Sequence, residues 1–228
     1  MPDHNHIYSS EAAAYHRMIA CQPSLAPYIE AIRPFDGLDI VDIGAGTGRL
    51  SAVLAPRAGR VTALDASAAM LDITAQRLTG AGLTNWSTKT ADNRSLPLED
   101  GCADLVVAGW TICYAASSAN ADWEASLAAI VAEMRRVLRP GGTIVIFETM
   151  GTGTEQPAPP HFLTGYYEAL VERYGFSHRW IRADYQFGSL EEAKQMASFF
   201  FSEELASRVE TNNWVRLPEC AGIWWQHI

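Results

Sequence analysis

VDIGAGTGRL, residues 41–50, places glycine at positions 44, 46 and 48, directly after a short apolar run and an aspartate. Glycine loses more conformational entropy on folding than any other residue. Three within five positions therefore mark backbone that must turn sharply or be approached closely. Upstream, Leu38–Ile43 reads as a short apolar strand; downstream, Thr47–Ala55 reads as a helix that Pro56 ends. A glycine turn at the carboxyl end of a strand is where open parallel sheets bind ligands, and the following helix points its N–H groups there.

The alternation continues outward from this turn. Arg60–Asp65 is a second strand, and Ser67 can cap a helix with Leu71, Ala75 and Leu78 on one face. Trp86–Thr90 and Asp104–Trp110 read as a third and a fourth strand. WEASLAAIVAEMRRVL (123–138) carries Leu127, Ile130, Val131, Met134 and Leu138 on one face, with arginines at its C-terminal end where cations suit the helix dipole. Pro140-Gly141-Gly142 turns the chain into a fifth strand, TIVIFE. Strands alternating with helices of this length predict an α/β fold, a mostly parallel sheet covered on both faces with right-handed crossovers. Beyond residue 150 the spacing predicts a helix over 161–176, a strand in WIRADYQF (180–187), an inserted helix in EEAKQMASFFF (191–201) and a strand in WVRLPECAGIWWQ (214–226). Residues 151–228 hold 14 of the 23 aromatics, which suits sheet packing or a lid over a flat ligand.

Composition narrows the function. With 26 acidic against 17 basic residues and a net charge of -9, the chain is a poor partner for a nucleic-acid backbone. Cys21, Cys102, Cys113 and Cys220 are scattered without metal-ligand spacing, which predicts reduced thiols and no metal. The N-terminus has no apolar signal core, and no run approaches the ~18 apolar residues of a membrane helix, so a cytoplasmic protein off the membrane is expected. His4 and His6 read as part of a disordered tail rather than a metal pair.

The loop also discriminates between ligands. A dinucleotide fingerprint, G-x-G-x-x-G, needs glycine at position 49, which here is Arg49. This opposes a nicotinamide-dependent oxidoreductase. Asp42 just before the loop suits a cationic ligand better than a pyrophosphate. Asp65, 21 residues past Gly44 at the end of the second strand, is placed to accept from both ribose hydroxyls.

VDIGAGTGRL resembles motif I of the class I S-adenosylmethionine-dependent methyltransferases. ALDASAAML (63–71) is similar to the family's second strand, TADNRSLPLEDGCADLVVAGW (90–110) to its adenine-binding segment and fourth strand, and RVLRPGGTIVIFE (136–148) to its entry into strand five. The resemblance spans roughly residues 38–150. It implies a Rossmann-like doubly wound sheet of seven strands in order 3-2-1-4-5-7-6 with strand seven antiparallel. It also implies one methyltransferase domain over 1–228, with a helical flap (1–37), a cofactor core (38–150) and a C-terminal part (151–228) helping to form the acceptor pocket.

Carried over residue by residue, the resemblance places Gly44, Ala45 and Gly46, with Gly48 in the same loop, along the methionine and ribose of the donor, and Asp42 near its ammonium group. Asp65 would take the ribose hydroxyls, and Ala66 and Met70 would lie against the adenine. Asp92 and Asn93 would meet the adenine edge, Ala108, Gly109 and Trp110 would lie beneath the sulfonium, and Tyr15 of the flap would touch the donor. On the acceptor side the candidates are Tyr114 and His161 for proton chemistry and Glu148, Tyr166 and Tyr167 for binding; Asp184 and Tyr185 end a strand nearby. The expected activity is in-line methyl transfer to oxygen or nitrogen of a small-molecule acceptor by a monomer or homodimer. A protein or RNA acceptor, or a non-catalytic nucleoside-binding protein, is the alternative.

Overall fold

The structure, a computed structural model, describes residues 4–228. β1 (Asp39–Ile43), β2 (Arg60–Asp65), β3 (Trp86–Thr90), β4 (Ala103–Gly109) and β5 (Leu138–Thr152) pair with one another in parallel. β6 (Ser177–Arg182) follows, and two short strands, β7 (Tyr185–Gln186) and β8 (Arg216–Leu217), precede β9 (Glu219–His227). The main sheet has the order β3-β2-β1-β4-β5-β9-β6, with β9 antiparallel to both neighbours; β7 and β8 pair separately. β9 therefore occupies the place expected for an antiparallel seventh strand, and the α/β expectation holds.

Adjacent residues of each strand point to opposite faces, which explains why the central strands are apolar throughout. Val41, Val106 and Ile144 pack on one side under α7 (Trp123–Val137) and α8 (Thr164–Glu172). Ile40, Leu105 and Val145 pack on the other under α3 (Ala26–Ile32), α4 (Ser51–Leu54) and α5 (Ala68–Gly80). Each such side chain contributes roughly 1.5–3 kcal/mol by leaving water, so the strand centres are the stable part of the molecule. A third apolar cluster joins α2 (Ala12–Ile19) to β7, α9 (Leu190–Phe200) and α10 (Glu203–Thr211) through Met18, Ile19, Tyr185, Met196 and Leu205.

Three local expectations are corrected. The helix after the glycine turn starts at Ser51, not Thr47, because Gly44, Gly46 and Gly48 all have positive φ (59°, 55° and 76°), which a right-handed helix does not admit. WIRADYQF is not one strand: β6 begins earlier, at Ser177, and ends at Arg182. There Asp184 gathers the guanidiniums of Arg182 and Arg216 and the Glu219 N–H into a corner, and Tyr185 turns away into the small sheet. His4 is not in a disordered tail but begins α1 (His4–Ser10), with its ring stacked on Phe200 at 4.6 Å.

Gly44 tests the turn. A Cβ there would stand 1.9 Å from Thr111 Oγ1, on a backbone with φ of 59°. Left-handed strain and overpacking together amount to about 2–4 kcal/mol, so Gly44→Ala is expected to lower Tm by roughly 5–15 °C in a thermal melt. Gly80→Ala, at the end of α5 with no atom within 4 Å of the added Cβ, is the control and should leave Tm unchanged or slightly raised.

Candidate active site

A cavity of about 350 Å³ opens at the carboxyl ends of β1, β2 and β4, roofed by α1 and α2. Its floor is the glycine turn. Asp65, at the end of β2, accepts from Gly46 N–H at 2.8 Å through Oδ2 and from Ser67 N–H at 2.8 Å through Oδ1. Each carboxylate oxygen has two lone pairs, so both keep capacity for a further donor such as a hydroxyl. A Cβ at Gly46 would meet only Met70 Cε at 3.9 Å, so the bare backbone there faces open space. Thr74 donates to Gly46 O at 2.8 Å and Arg77 to Thr47 O at 2.6 Å, which pins the turn to α5.

Of the residues singled out in the sequence, Gly44, Ala45, Gly46, Asp65, Ala66, Met70, Asp92, Asn93, Gly109, Trp110, Tyr15 and Tyr114 line this cavity. Asp92 does so with both carboxylate oxygens engaged by Arg94. Asn93 donates to Thr111 Oγ1 at 3.1 Å. Trp110 adopts φ of 52°, unusual for a bulky residue, which places its ring beneath the guanidinium of Arg49 at 3.8 Å. The Tyr114 and Tyr8 hydroxyls are hydrogen-bonded across the cavity mouth, and Tyr8 in turn meets Tyr15 edge-on at 5.3 Å. Burial raises the Tyr15 phenol to about 12, so it keeps its proton at neutral pH.

The remaining candidates lie elsewhere. Asp42 sits behind the turn, 1% exposed, and accepts from Ser51 N–H at 2.9 Å and Ser51 Oγ–H at 2.6 Å. Gly48 packs toward Thr74, and Ala108 is buried in the sheet. Glu148, Tyr166 and Tyr167 belong to the packed layer under α6 (Ile112–Ala116). Glu148 accepts from Cys113 N–H at 3.0 Å, and Tyr167 donates to Thr149 O at 2.7 Å. His161 is exposed at the start of a short 3-10 turn, and Asp184 closes the corner described above; neither lines the cavity. Arg49, Thr47, Thr111, Ile19 and Tyr8 do line it. Sequence alone gives little signal for these five, because they are ordinary residues until the fold brings 8–19, 44–49 and 109–115 together.

Residues 41–146 match the model of a methyltransferase domain. Over this segment the chain is similar to S-adenosylmethionine-dependent methyltransferases. The chain is 36% identical over 120 residues to malonyl-[acyl-carrier protein] O-methyltransferase of Serratia marcescens, an alignment covering 53% of this chain and 41% of that protein. It is 34% identical over 118 residues to demethylmenaquinone methyltransferase of Clavibacter sepedonicus, covering 52% and 44%. The chain thus spans about half or less of the curated relatives it matches. In structure it is similar to the YcgJ protein of Bacillus subtilis, with a TM-score of 0.62 at 14% identity over 90% of this chain and 97% of that one. A methyltransferase of Aquifex aeolicus gives a TM-score of 0.59 at 15% identity, covering 89% of each. At these identities the structural matches speak for the fold.

The fold buries three carboxyl groups, Asp42, Glu148 and Glu219. Burial raises Asp42, Glu148 and Glu219 to about 7 each. An acid with a raised folded-state pKa binds its proton more tightly folded than unfolded. Its stabilising effect is complete below the unfolded value near 4 and is lost as pH rises toward 7. Glu148→Gln keeps an acceptor for Cys113 N–H and cannot ionise. Its Tm relative to the wild type is expected to rise by several degrees between pH 5 and pH 8. The half-buried His16 and His178, whose lowered values act in the opposite sense, cancel in that difference. Melts of both proteins across this range check it; a constant difference would show that Glu148 is not titrating there.

Proposed function

We propose that this protein transfers a methyl group from S-adenosylmethionine to oxygen or nitrogen of a small-molecule acceptor. One observation carries the reading: the Gly46 backbone faces open space beside a carboxylate, Asp65, that retains acceptor capacity at the end of the second strand. That is a cradle for a ribose, and it fits an adenosyl group with Asn93, Ala66 and Met70 around the base. The donor, when bound, supplies the leaving group, because a sulfonium departs readily.

The chain's own residues then bind, orient and exclude water. Gly109 and Trp110 form the floor at the end of β4, and Tyr8, Tyr15 and Tyr114 form an aromatic wall suited to a cation. Holding acceptor and donor in line within about 3 Å is where such a protein gains most of its rate. Because Tyr15 stays protonated, it serves as a donor or a packing surface rather than as a base. The names of the relatives support a small acceptor group: the Serratia protein is named for O-methylation of a malonyl group on an acyl-carrier protein and the Clavibacter protein for methylation of demethylmenaquinone. A cytoplasmic setting belongs to the same reading. All four cysteines are free, and no helix of the described residues is long and apolar enough to cross a membrane.

Two measurements test the proposal. Thermal stabilisation by S-adenosylmethionine and S-adenosylhomocysteine, but not by NAD, is expected; a shift with NAD alone would overturn it. Asp65→Ala should weaken S-adenosylhomocysteine about 10- to 100-fold in calorimetry, the value of a hydrogen bond to a charged group. Donor binding without methyl transfer to any of a broad panel of phenols, carboxylic acids and amines would favour a binding protein of the same fold.

A further inference from the structure

Three phenols line the cavity, Tyr8 of α1, Tyr15 of α2 and Tyr114 of α6, and they share a single hydrogen bond. In it one hydroxyl of the Tyr8–Tyr114 pair donates to the other, which leaves the second proton of the pair without an acceptor among the described residues. The Tyr15 hydroxyl has no hydrogen-bond partner among them either. A phenol keeps its proton at neutral pH, and burial raises all three still further. The rings are fixed: Tyr8 meets Tyr15 edge-on at 5.3 Å and Tyr114 edge-on at 5.8 Å. Tyr114 is 46% exposed, so the pair faces the approach from solvent with unspent O–H donors.

Groups able to take a proton are committed elsewhere. Among the described residues no histidine, lysine, cysteine or glutamate lines the cavity. Of its two aspartates, Asp65 holds the N–H groups of Gly46 and Ser67, and Asp92 holds Arg94. His4, beside the phenol pair, donates from Nε2 to Phe200 O at 3.0 Å, and His16 Nδ1 meets Thr47 Oγ1 at 3.3 Å. Glu148 is fully buried under α6 on the Cys113 N–H, and Glu219 accepts from Thr149. Methylation of an alcohol or a protonated amine releases a proton that a base must take. A carboxylate has no proton to lose, and its two oxygens accept from two donors at once.

We propose that the methyl acceptor is a carboxylate, received by the hydroxyls of Tyr8 and Tyr114 in place of the bond they make to each other. The proposal rests on the donor-binding reading above and names the acceptor class. A lone pair of one carboxylate oxygen forms the bond to the methyl carbon, the carbon–sulfur bond breaks, and its electron pair stays on sulfur. The products are a methyl ester and a thioether, and no proton moves. A cation and an anion vanish together in this step, which a site roofed against water favours because charge is costlier there than in solvent. Neutral phenols orient the anion without cancelling the charge that attacks, which a guanidinium such as that of Arg49 would do.

Methyl transfer from S-adenosylmethionine to matched acids, alcohols and amines tests it, with benzoate, benzyl alcohol and benzylamine as one set and hexanoate, hexanol and hexylamine as the other. S-adenosylhomocysteine formation should be seen with an acid of either set and not with its alcohol or amine. Tyr8→Phe and Tyr114→Phe keep the rings and lose the hydroxyls. Each should raise KM for the acid about 10- to 100-fold, the value of a hydrogen bond to a charged group, with kcat changed less than about threefold. Calorimetric affinity for S-adenosylhomocysteine should change less than about twofold in both variants, which also shows that they fold. Transfer to an alcohol or amine in preference to its matched acid, or to none of the six compounds, would overturn the carboxylate class. Unchanged KM in both variants, or a KM raised by Arg49→Met instead, would overturn the assignment to the phenols. Loss of S-adenosylhomocysteine affinity in the phenylalanine variants would make the hydroxyls structural and overturn it as well. A wild type that does not bind S-adenosylhomocysteine would remove the donor-binding reading itself.

Discussion

The ligand end of this molecule depends on how the chain leaves β1. Three left-handed glycines delay the next helix to Ser51; Gly48 O and Leu50 O take the N–H groups of Ala52, Val53 and Leu54, and Ser51 N–H is left to a side chain. Asp42, the penultimate residue of β1, accepts from both the backbone and the hydroxyl of Ser51 through one oxygen. Burial pushes that carboxyl up to about 7, so its hydrogen bonds are made in a place where charge is costly. Asp65 from the side and Thr74 and Arg77 from α5 complete the support. A turn held from three directions can leave its central backbone bare, as Gly46 does.

Floor and roof of the cavity are built from different terms. The floor rests on strands whose side chains are fully buried between two helical layers. The roof is α1 and α2, joined to the rest through Tyr8, Tyr15 and His4 against Phe200 and Tyr114. Aromatic pairs contribute about 0.5–1.5 kcal/mol each beyond their buried area, far less than the summed strand core. The two sides therefore differ in local stability, with the roof at the lower end. The Phe199–Phe201 run is what ties the two together, packing on the cluster that α2 shares with α9 and α10.

Charge is distributed with the same polarity. Asp42, Glu148 and Glu219 sit near the carboxyl ends of β1 and β5 and at the start of β9, each shifted by burial rather than by a like-charged neighbour as the first cause. At the opposite end of the sheet Arg139 joins Asp39 and Asp104 in an accessible network that solvent screens. One edge of the sheet thus carries groups poised near neutrality, as sites of chemistry often do, while the other carries ordinary surface ion pairs.

Sequence by itself determined the sheet and the glycine-turn end of the cavity. Strand periods, glycine spacing and the acid at position 65 are local signals: the turn's φ values require glycine, and Asp65 follows its strand by short-range geometry. The C-terminal third was less legible, since the corner at Asp184 depends on Arg216 and Glu219, more than thirty residues away. The same holds for the rest of the site. Glu148, Tyr166 and Tyr167 look like pocket residues in a chain, but α6 folds between them and the cavity. Arg49 looked only like an interruption of a dinucleotide fingerprint. Its stacking on Trp110 at 3.8 Å comes from tertiary packing. Which side chains face a cavity is decided by long-range contacts, and those are written nowhere in the local pattern.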